Sequence, residues 1–599
     1  MKKSKQPKAA LKSPKALPAL AESPSAPNVS WQIAGLFGAA ILIAFLVYGP
    51  AMDGPFLYDD RYLPFLDRHL IGQPFTAWLI GLRPFVNLSF WLNAQISGSE
   101  TWSYHAGNIL LHALNSVLVF FIARWFLGRV GTPEKQLNVL SAIAGALFLV
   151  HPLQTEAVAY VTSRSETLAV LFFYGAFALF LYRRKGGIDW LSAIGVLALF
   201  AAAQMTKEYS VVFPALLLLT DWLFPAGPDS QRHSAIGTIR QNWRLYSLLL
   251  AGAAIGGALI IRVLAHTTSA GFHLKEASPS QYFLTECRAI WVYLRLVVLP
   301  FGQNVDPDFH FSRGLDPLAV VGLLGLSALV AVSLIFRRRY ALAAFGFLAM
   351  LLCLAPTSSL LPIADPLAEH RMYLPMFAVV LIGLEFLRRW NVDQGRMIGA
   401  AAVALLLCTY LSFARSSLWA NEIGLWQDSV NNSPRKLRPH FQLAFSYYRA
   451  GRCGNAVEAF QKAAQIQTPS FELLHDWGEA ADCTGDETQA LALFQRAEQL
   501  QSEDGLVASQ IGMILAKQKR YGEALAELNK AQGKSPDLAP IYAYRGNIYY
   551  AQGDFAKAVD EFQHALLIDS ENRMAIDGIV AARRRLSASA NASINPARQ

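Results

Sequence analysis

The chain has 599 residues, of which 53% are hydrophobic and only 16% are charged. Soluble proteins carry about 25% charged residues, so this composition excludes a wholly soluble chain. The formal net charge of +9 does not indicate binding to nucleic acid, because much of it comes from lysines within residues 1–30. That segment is also rich in Pro, Ser and Ala, and we expect it to form a disordered basic tail in the cytoplasm.

Residues 31–413 are a series of apolar segments, which we interpret as a polytopic membrane helix bundle with about 11 spans. The first span follows the basic tail and is predicted to be an uncleaved signal anchor. The predicted spans are 31–50, 106–128, 137–151, 166–182, 190–206, 209–224, 245–264, 316–336, 340–355, 374–388 and 397–413. This count places the basic clusters at 183–185, 337–339 and 388–389 in the cytoplasm, as the positive-inside rule requires.

A further apolar segment, residues 282–300, is long enough to cross the membrane but carries Glu286, Arg288 and Arg295. Each such charge costs about 2.5–3.5 kcal/mol at the centre of a bilayer. A crossing here would also move the arginines at 337–339 to the outside. We therefore predict an amphipathic helix that lies on the outer surface or is tucked into the bundle, with a twelfth span as the alternative.

Two adjacent carboxylates, Asp59 and Asp60, come just after the first span, which places them on the outer face. Ionisable groups beside a membrane segment are costly to keep without a partner or a task. They could cap a following helix or pair with Arg61. Alternatively, one of them is a general base for an acceptor hydroxyl, or binds a metal beside a phosphate. We favour Asp60 over Asp59 because it is next to Arg61.

A polar stripe enters the second predicted span on one helix face. Its members are His105, Asn108, His112 and Asn115, spaced three, four and three residues apart. Buried polar side chains in a membrane face other helices or a watery cavity. Three roles remain open for the stripe: hydrogen bonds that fix helix packing, lining of a substrate site, or ligation of a metal.

The outer face also collects charged residues and histidines from several separate stretches, which topology alone does not explain. Besides the acidic pair, this set comprises Arg61, His151, Glu156, Arg164, Glu166, Lys207, Glu208, Asp306, Asp308, His310, Glu369, His370 and Arg371. Arg164, Lys207 and Arg371 are candidates for binding a phosphate. Each could instead contact lipid headgroups or pair with a neighbouring glutamate.

From residue 437 the sequence repeats with a period of 34 residues. The positions in register are Ala444, Gly478, Gly512 and Gly546; Ala456, Ala490, Ala524 and Ala558; Ala463, Ala497, Ala531 and Ala565; and Phe460, Phe494, Leu528 and Phe562. The small residues let two antiparallel helices approach closely, and the large residue fills the gap between them. This pattern is similar to that of tetratricopeptide repeats, and it predicts an α-solenoid of four repeats plus a capping helix at 437–586. A half-repeat at 414–436 would connect it to the last span, and a disordered tail would follow at 587–599.

Two of the five cysteines, Cys453 and Cys483, fall at helix ends of neighbouring repeats that point the same way. They could approach within the Cα separation of about 4.4–6.8 Å that a disulfide needs, or they could remain unrelated thiols. The other three, Cys287, Cys353 and Cys408, lie in or against the membrane and are expected to be packed apolar side chains.

Several short motifs occur in order along the chain. They are the acidic pair, Arg83-Pro84 with Leu88-Ser89-Phe90, His105-x-x-Asn108-x-x-x-His112, His151-Pro152-x-x-Thr155-Glu156-Ala157-Val158, Lys207-Glu208, Leu299-Pro300-Phe301-Gly302-x-Asn304-Val305-Asp306, and His370-Arg371-Met372-Tyr373-Leu374-Pro375. With the repeats that follow, this order resembles that of the transmembrane and tetratricopeptide repeat-containing O-mannosyltransferases and their bacterial relatives. The resemblance covers nearly the whole chain after residue 50.

The resemblance implies an all-α chain in which a GT-C glycosyltransferase bundle precedes the repeats, and a polyprenyl- or dolichyl-phosphate sugar as the donor. Carried onto this sequence, it indicates Asp59, Asp60 and Glu156 as catalytic residues and Arg164, Lys207 and Arg371 as ligands of the donor phosphate. We expect the substrate to be lined by His105, Asn108, His112, His151, Glu208, Asp306 and His370. Relatives commonly have an acidic residue where this chain has His370.

The function we expect is transfer of a hexose, such as mannose, from the lipid phosphate to Ser/Thr hydroxyls of a protein or peptide bound by the repeats. The expected location is a bacterial inner membrane, with the N-terminus cytoplasmic and the repeats periplasmic. A divalent metal could assist, and no nucleic-acid partner is expected. Two alternatives remain open: glycosyl transfer to a lipid or polysaccharide, and a non-enzymatic membrane-anchored repeat scaffold for an envelope complex. The outward carboxylates and cations favour an enzyme, because a pure anchor has no need for them.

Overall fold

The computed structural model describes residues 31–594, apart from residues 64–65, 67–69, 71, 80, 82, 185–186, 226–236, 238, 241, 265–276, 360, 502 and 504. The tail expected at 1–30 and residues 595–599 lie outside the described residues. Contacts divide the chain into two compact units, Met1–Asn421 and Glu422–Gln599. Within the described ranges all regular elements are helical, so the predicted all-α class is confirmed.

The N-terminal unit is a bundle of helices joined by loops and short 3-10 turns. Its α-helices are α1 (Trp31–Tyr48), α2 (Phe75–Trp78), α3 (Pro84–Ser97), α4 (Trp102–Arg129), α5 (Glu134–Val150), α6 (Thr155–Ala159), α7 (Arg164–Arg183), α8 (Trp190–Gln204), α9 (Phe213–Leu223), α10 (Trp243–Leu264), α11 (Pro279–Val298), α12 (Pro317–Phe336), α13 (Ala341–Leu354), α14 (Met376–Arg389) and α15 (Gln394–Trp419). Helix α4 lies in the interior of the bundle, where it packs against α1, α5 and α7. Large aromatic side chains such as Phe126, Phe148 and Tyr174 fill the core around it.

Five of these helical segments are long and apolar enough to cross a membrane: Ala34–Asp53, Trp102–Arg129, Val161–Arg183, Pro317–Phe336 and Gln394–Trp419. A sixth crossing results if Glu134–Val150 and Pro152–Ala159, which meet at a bend of 50°, count as one broken span. The other five predicted spans coincide with helices that fall short of this criterion. The N-terminal unit is therefore the membrane part of a multi-pass membrane protein. The length and composition of its helices support five or six of the eleven predicted spans.

The apolar segment at 282–300 that carries charged residues forms α11, which is not among the candidate spans in the described part of the chain. It begins with a capping box, in which Ser278 Oγ accepts from Gln281 N at 3.3 Å and Ser278 N donates to Gln281 Oε1 at 2.9 Å. One face of α11 is buried, including Glu286, and packs into the bundle. The structure thus agrees with the amphipathic helix that is tucked into the bundle.

The second unit is a solenoid of helix pairs. Its α-helices are α16 (Glu422–Asn432), α17 (Leu437–Arg449), α18 (Cys453–Ile466), α19 (Phe471–Thr484), α20 (Glu487–Leu500), α21 (Gly505–Lys517), α22 (Tyr521–Lys534), α23 (Ala539–Ala551), α24 (Phe555–Ile568) and α25 (Arg573–Ile594). The 34-residue register has the expected physical basis, since the ring of Phe494 packs on Gly478, where an added Cβ would lie 2.7 Å from it. The final helix continues to Ile594, beyond residue 586 where we expected the capping helix to end.

Two cysteines of the solenoid are bonded to each other. Cys453 is the first residue of α18 and Cys483 lies in the last turn of α19, and a disulfide joins them with a Cα separation of 5.9 Å. Of the two alternatives that the sequence left open, the structure has the disulfide. It crosslinks two neighbouring repeats at the ends of their helices.

Candidate functional site

The acidic pair lies in a short 3-10 helix, Tyr58–Tyr62, that follows the first membrane helix. The two carboxylates differ in environment, because Asp59 is exposed whereas Asp60 is only 1% exposed. Tyr58 has a left-handed backbone with a φ of 45°, which costs a residue other than glycine about 1–3 kcal/mol. The chain is therefore held in a strained turn directly before the two carboxylates.

Three donors hold the buried carboxylate of Asp60. Its Oδ1 accepts hydrogen bonds from Thr162 N at 2.7 Å and Thr162 Oγ1 at 2.5 Å, and its Oδ2 accepts from Leu57 N at 3.0 Å. Burial raises the pKa of Asp60 to about 7, although these hydrogen bonds lower it. Asp60 fixes the position of its loop, and Asp59 is the carboxylate that an incoming molecule can reach.

Residues 156–166, here called the central segment, contact most of the predicted site residues. The segment runs from α6 through the 3-10 turn Val161–Ser163 into the first turn of α7. It contains Thr162, which holds Asp60, and Tyr160, whose hydroxyl accepts a hydrogen bond from Asp59 N at 3.0 Å. Residues that are far apart in sequence therefore meet around one short stretch of chain.

All four side chains of the polar stripe on α4 are buried and hydrogen-bonded inside the N-terminal unit. The contacts are His105 Nε2 with Gly54 O (3.3 Å), Asn108 Nδ2 with Tyr160 O (2.9 Å), His112 Nε2 with Leu149 O (2.9 Å) and Asn115 Nδ2 with Thr167 O (2.9 Å). His112 also accepts at Nδ1 from the Tyr373 hydroxyl at 2.9 Å. Since both ring nitrogens of His112 are occupied by protein groups, the geometry favours the packing role over metal ligation or contact with substrate.

The guanidinium of Arg164 is enclosed by acceptors from α3 and α4. Its Nε donates to Asn108 Oδ1, its Nη1 donates to Asn93 Oδ1 at 3.0 Å, and its Nη2 donates to Tyr104 O at 2.7 Å. The residue is 2% exposed, and a Cβ added to Gly107 would lie 2.6 Å from Nη2. Gly107 therefore makes room for the guanidinium, which ties α3 and α4 to the central segment.

Arg371 is buried in a similar way, against α11. Its Nη1 lies 3.4 Å from Glu286 Oε1 and 3.3 Å from the Tyr282 hydroxyl, and it donates to Pro366 O at 3.1 Å. The side chain is 6% exposed. This ion pair gives Glu286 of α11 a structural role, because its carboxylate is paired with Arg371 rather than left alone in the bundle.

Lys207 and Glu208 make ion pairs with two different partners. Lys207 Nζ lies 2.9 Å from Glu166 Oε1 and 3.1 Å from Ser165 Oγ, both in the central segment. Glu208 accepts two hydrogen bonds of 2.9 Å from Arg83, which is partly exposed. The Lys207 side chain is 19% exposed, so of the three cations predicted to bind phosphate it is the most accessible.

Glu156 and His370 form a close pair at the other end of the central segment. Glu156 Oε1 lies 2.7 Å from His370 Nδ1, and its Oε2 accepts from His370 N at 3.2 Å. The neighbouring Glu369 accepts from Asn304 N and Gln303 Nε2, each at 2.7 Å. Burial raises the pKa of Glu369 to about 7, and the nearby Glu156 contributes to the rise.

The remaining predicted site residues, His151 and Asp306, are buried in loops of the same unit. His151 Nε2 donates to Val297 O at 2.9 Å, and its Nδ1 accepts from Leu153 N at 3.2 Å. Asp306 N donates to Asn304 Oδ1 at 3.1 Å. Within the described residues no group of three or more His, Cys, Asp or Glu side chains is placed to hold a metal ion.

Sequence reasoning did not find Thr162, although it holds Asp60 through two hydrogen bonds. A threonine in a loop carries no pattern of its own, and its only signal is its place two residues before Arg164. The partner of Arg371 was also missed, because Glu286 belongs to a distant helix and Glu369 was the nearer carboxylate in sequence.

Comparisons with known proteins agree with the predicted resemblance. Protein O-mannosyl-transferase Tmtc1 of Drosophila melanogaster is 31% identical over 317 residues, which cover 49% of this chain and 36% of the relative. Protein O-mannosyl-transferase TMTC3 of Homo sapiens is 23% identical over 546 residues, which cover 82% of this chain and 58% of the relative. The chain is thus homologous to proteins named O-mannosyl-transferases, and it spans about a third to three fifths of the length of these two relatives.

The repeat unit has its own match. A family model described as a tetratricopeptide repeat matches residues 539–572, the helix pair α23 and α24. Among solved structures, MamA from Desulfovibrio magneticus is 20% identical, and the match covers 27% of this chain and 97% of that chain with a TM-score of 0.22. The family model confirms the repeat type that the 34-residue period predicts.

Proposed function

We propose that this protein transfers a hexose from a polyprenyl- or dolichyl-phosphate donor to a Ser/Thr hydroxyl of a protein. Mannose is the sugar named in its relatives and is the first donor to test. The reaction takes place on the non-cytoplasmic side, where the acidic pair and the central segment lie under the predicted topology. The repeats lie on the same side and hold the acceptor.

The observation that carries this proposal is the set of groups that meet at the central segment. Asp59, whose carboxylate is exposed, donates its backbone N–H to Tyr160 of this segment, and the partly exposed ammonium of Lys207 pairs with Glu166 of the same segment. Glycosyl transfer from a lipid phosphate needs these two kinds of group, because a hydroxyl must lose a proton and a phosphate must accept negative charge. The names of the relatives support the same reaction.

In the proposed step, the acceptor oxygen attacks C1 of the sugar while Asp59 takes the hydroxyl proton. The bond between C1 and the phosphate oxygen breaks, and the electron pair leaves with the polyprenyl phosphate. Lys207, held by Glu166, stabilises the charge that develops on the phosphate as a fixed point charge. The step balances without an oxidant, a reductant or a further reactant.

Three other predicted site residues, Asp60, Arg164 and Arg371, take positioning roles in this proposal. Asp60 fixes the turn that presents Asp59, and Arg164 and Arg371 fix the helices around the central segment. The guanidinium groups of Arg164 and Arg371 already donate to protein acceptors, so they do not need to contact the donor phosphate.

The test is a transfer assay in native membranes with labelled polyprenyl-phosphate sugars and an acceptor peptide. The control is the double variant Asp59→Asn/Asp60→Asn, checked for normal expression and membrane insertion. We expect the wild type to transfer label and the double variant to lose transfer. Label that appears in lipid or polysaccharide instead of peptide would contradict the protein acceptor, and equal transfer by both proteins would contradict the catalytic assignment.

A further inference from the structure

The imidazole of His370 is fixed in place by one carboxylate. Glu156 contacts the ring at Nδ1 at 2.7 Å, and its second oxygen accepts a hydrogen bond from the backbone N–H of His370 at 3.2 Å. Glu156 itself is buried and lies on α6 within the central segment, so the ring cannot rotate away without losing its contact at Nδ1. Because the carboxylate occupies Nδ1, the opposite ring nitrogen, Nε2, remains for another partner. In the described part of the chain no residue bonds to that nitrogen, and the side chain is 31% exposed.

Charged groups on three neighbouring elements decide whether the ring is protonated. Burial lowers the pKa of His370, and Lys207 also lowers it, but Glu156 on α6 and Glu166 on α7 raise it. The net direction is upward from the ordinary value of 6.5. A histidine whose pKa is raised keeps a proton on both ring nitrogens up to a higher pH than an unperturbed imidazole does. It can then donate one hydrogen bond to Glu156 and a second one outward, and it cannot accept a proton from a hydroxyl.

A second cation, Lys207, is held by the same central segment. Lys207 is close enough to His370 to affect its protonation, and both side chains are partly exposed. Each of the two is held by a carboxylate of the central segment, Lys207 by Glu166 and His370 by Glu156. The central segment therefore holds two partly exposed N–H donors, an arrangement suited to phosphate oxygens.

We propose that His370, positioned by Glu156, donates a hydrogen bond from Nε2 to the phosphate of the lipid-linked sugar, beside Lys207. This inference rests on the proposed function and names the groups that bind its donor. It gives Glu156 a positioning role, and it makes the affinity for the donor depend on pH. The affinity is highest while the ring is protonated, and it falls as the pH rises through the pKa of His370.

The experiment measures KM for a polyprenyl-phosphate hexose between pH 5.5 and 8.5 in membranes. In the wild type, KM for the donor should rise with pH, while KM for the acceptor peptide should stay level. The variant His370→Gln should raise KM for the donor about 10- to 100-fold at low pH, as expected for one lost charge-assisted hydrogen bond, and should lose the pH-dependent rise. Glu156→Gln should move the rise to lower pH, because it removes the carboxylate that keeps the ring protonated.

The matched control is His310→Gln. His310 also faces a carboxylate, with Nδ1 3.4 Å from Asp308 Oδ1, but it is largely exposed and lies outside the central segment. This variant should leave KM for the donor and its pH profile unchanged. The proposal is overturned if His370→Gln has the donor KM and pH profile of the wild type. It is also overturned if His370→Gln lowers only kcat and this loss becomes larger as the pH rises, because that pattern indicates a general base.

A binding measurement separates this inference from the proposed reaction. Polyprenyl phosphate without a sugar should raise the thermal stability of the purified wild type at pH 6, and should do so less in His370→Gln at the same pH. If this pattern appears but no sugar is transferred, the phosphate site stands and the proposed reaction falls. If sugar is transferred but His370→Gln binds polyprenyl phosphate as the wild type does, the reaction stands and this inference falls.

Discussion

The two carboxylates of the acidic pair should respond differently to the same substitution. Asp59 is exposed and Asp60 is buried, so Asp59→Asn removes a group that can meet a substrate, whereas Asp60→Asn removes one that holds its own loop. Loss of a general base should lower kcat by about 10²- to 10⁴-fold. Asp59→Asn should therefore abolish transfer but leave the thermal stability equal to that of the wild type. Asp60→Asn should lower both transfer and thermal stability.

The contribution of Asp60 to the free energy of unfolding depends on pH. The sign of this dependence follows from the direction in which folding shifts the pKa of Asp60. Because burial raises the pKa of Asp60 from 3.8 to about 7, the folded protein favours the protonated carboxyl more than the unfolded chain does. The stability that Asp60 contributes is fully present below the unfolded pKa of 3.8, and it is lost as the pH rises through the folded pKa of about 7. The difference across that window is at most on the order of 4 kcal/mol, since one pKa unit corresponds to about 1.4 kcal/mol.

The assay compares the Tm of the wild type with that of Asp60→Asn at pH 4.5 and at pH 8. Asparagine does not titrate, so the difference between the two proteins isolates Asp60 from the other ionisable groups. The variant should be less stable at pH 4.5, because asparagine keeps only one acceptor oxygen and must lose the hydrogen bond to Leu57 or those to Thr162, each worth about 1 kcal/mol. Its deficit should shrink by several degrees of Tm at pH 8. A difference in Tm that is the same at both pH values, or full transfer activity in Asp59→Asn, would refute this assignment of roles.

Three further predictions concern packing, topology and the disulfide. Gly107→Ala should lower the Tm and the transfer rate, because the added Cβ would lie 2.6 Å from the buried guanidinium of Arg164. This loss should appear although alanine usually stabilises a helix by about 0.5–1 kcal/mol relative to glycine. The control Gly399→Ala, where nothing lies within 4 Å of the added Cβ, should lower neither quantity, and equal effects of the two substitutions would contradict the packing argument. A reporter that is active only in the cytoplasm, fused after residue 599, should be silent, and an active reporter would place the repeats on the cytoplasmic side. Replacing Cys453 and Cys483 by alanine should destabilise the repeat unit by about 3–4 kcal/mol in the chain-entropy model for the loop they close, as measured by thermal unfolding. Free thiols at both positions in unreduced protein, detected by mass spectrometry, would contradict the bridge.

The sequence determined the features that depend on periodicity and composition. Apolar segments and basic clusters indicated a helical membrane unit, because hydrocarbon admits few charges and Lys and Arg stay on one side. The 34-residue register indicated the solenoid, because each repeat buries the same small and large residues, such as Gly478 against Phe494. The register also placed Cys453 and Cys483 close enough for a bridge.

Only the tertiary structure decided which charged residue pairs with which. The sequence favoured Asp60 over Asp59 as the catalytic group because Asp60 is next to Arg61, but burial depends on a contact with Thr162, which is 102 residues away. Likewise, nothing local distinguishes an arginine that is enclosed, such as Arg164, from a cation that remains accessible, such as Lys207. Periodicity reports which face of a helix is apolar, whereas the partner of an ionisable group is set by elements that meet only when the chain folds.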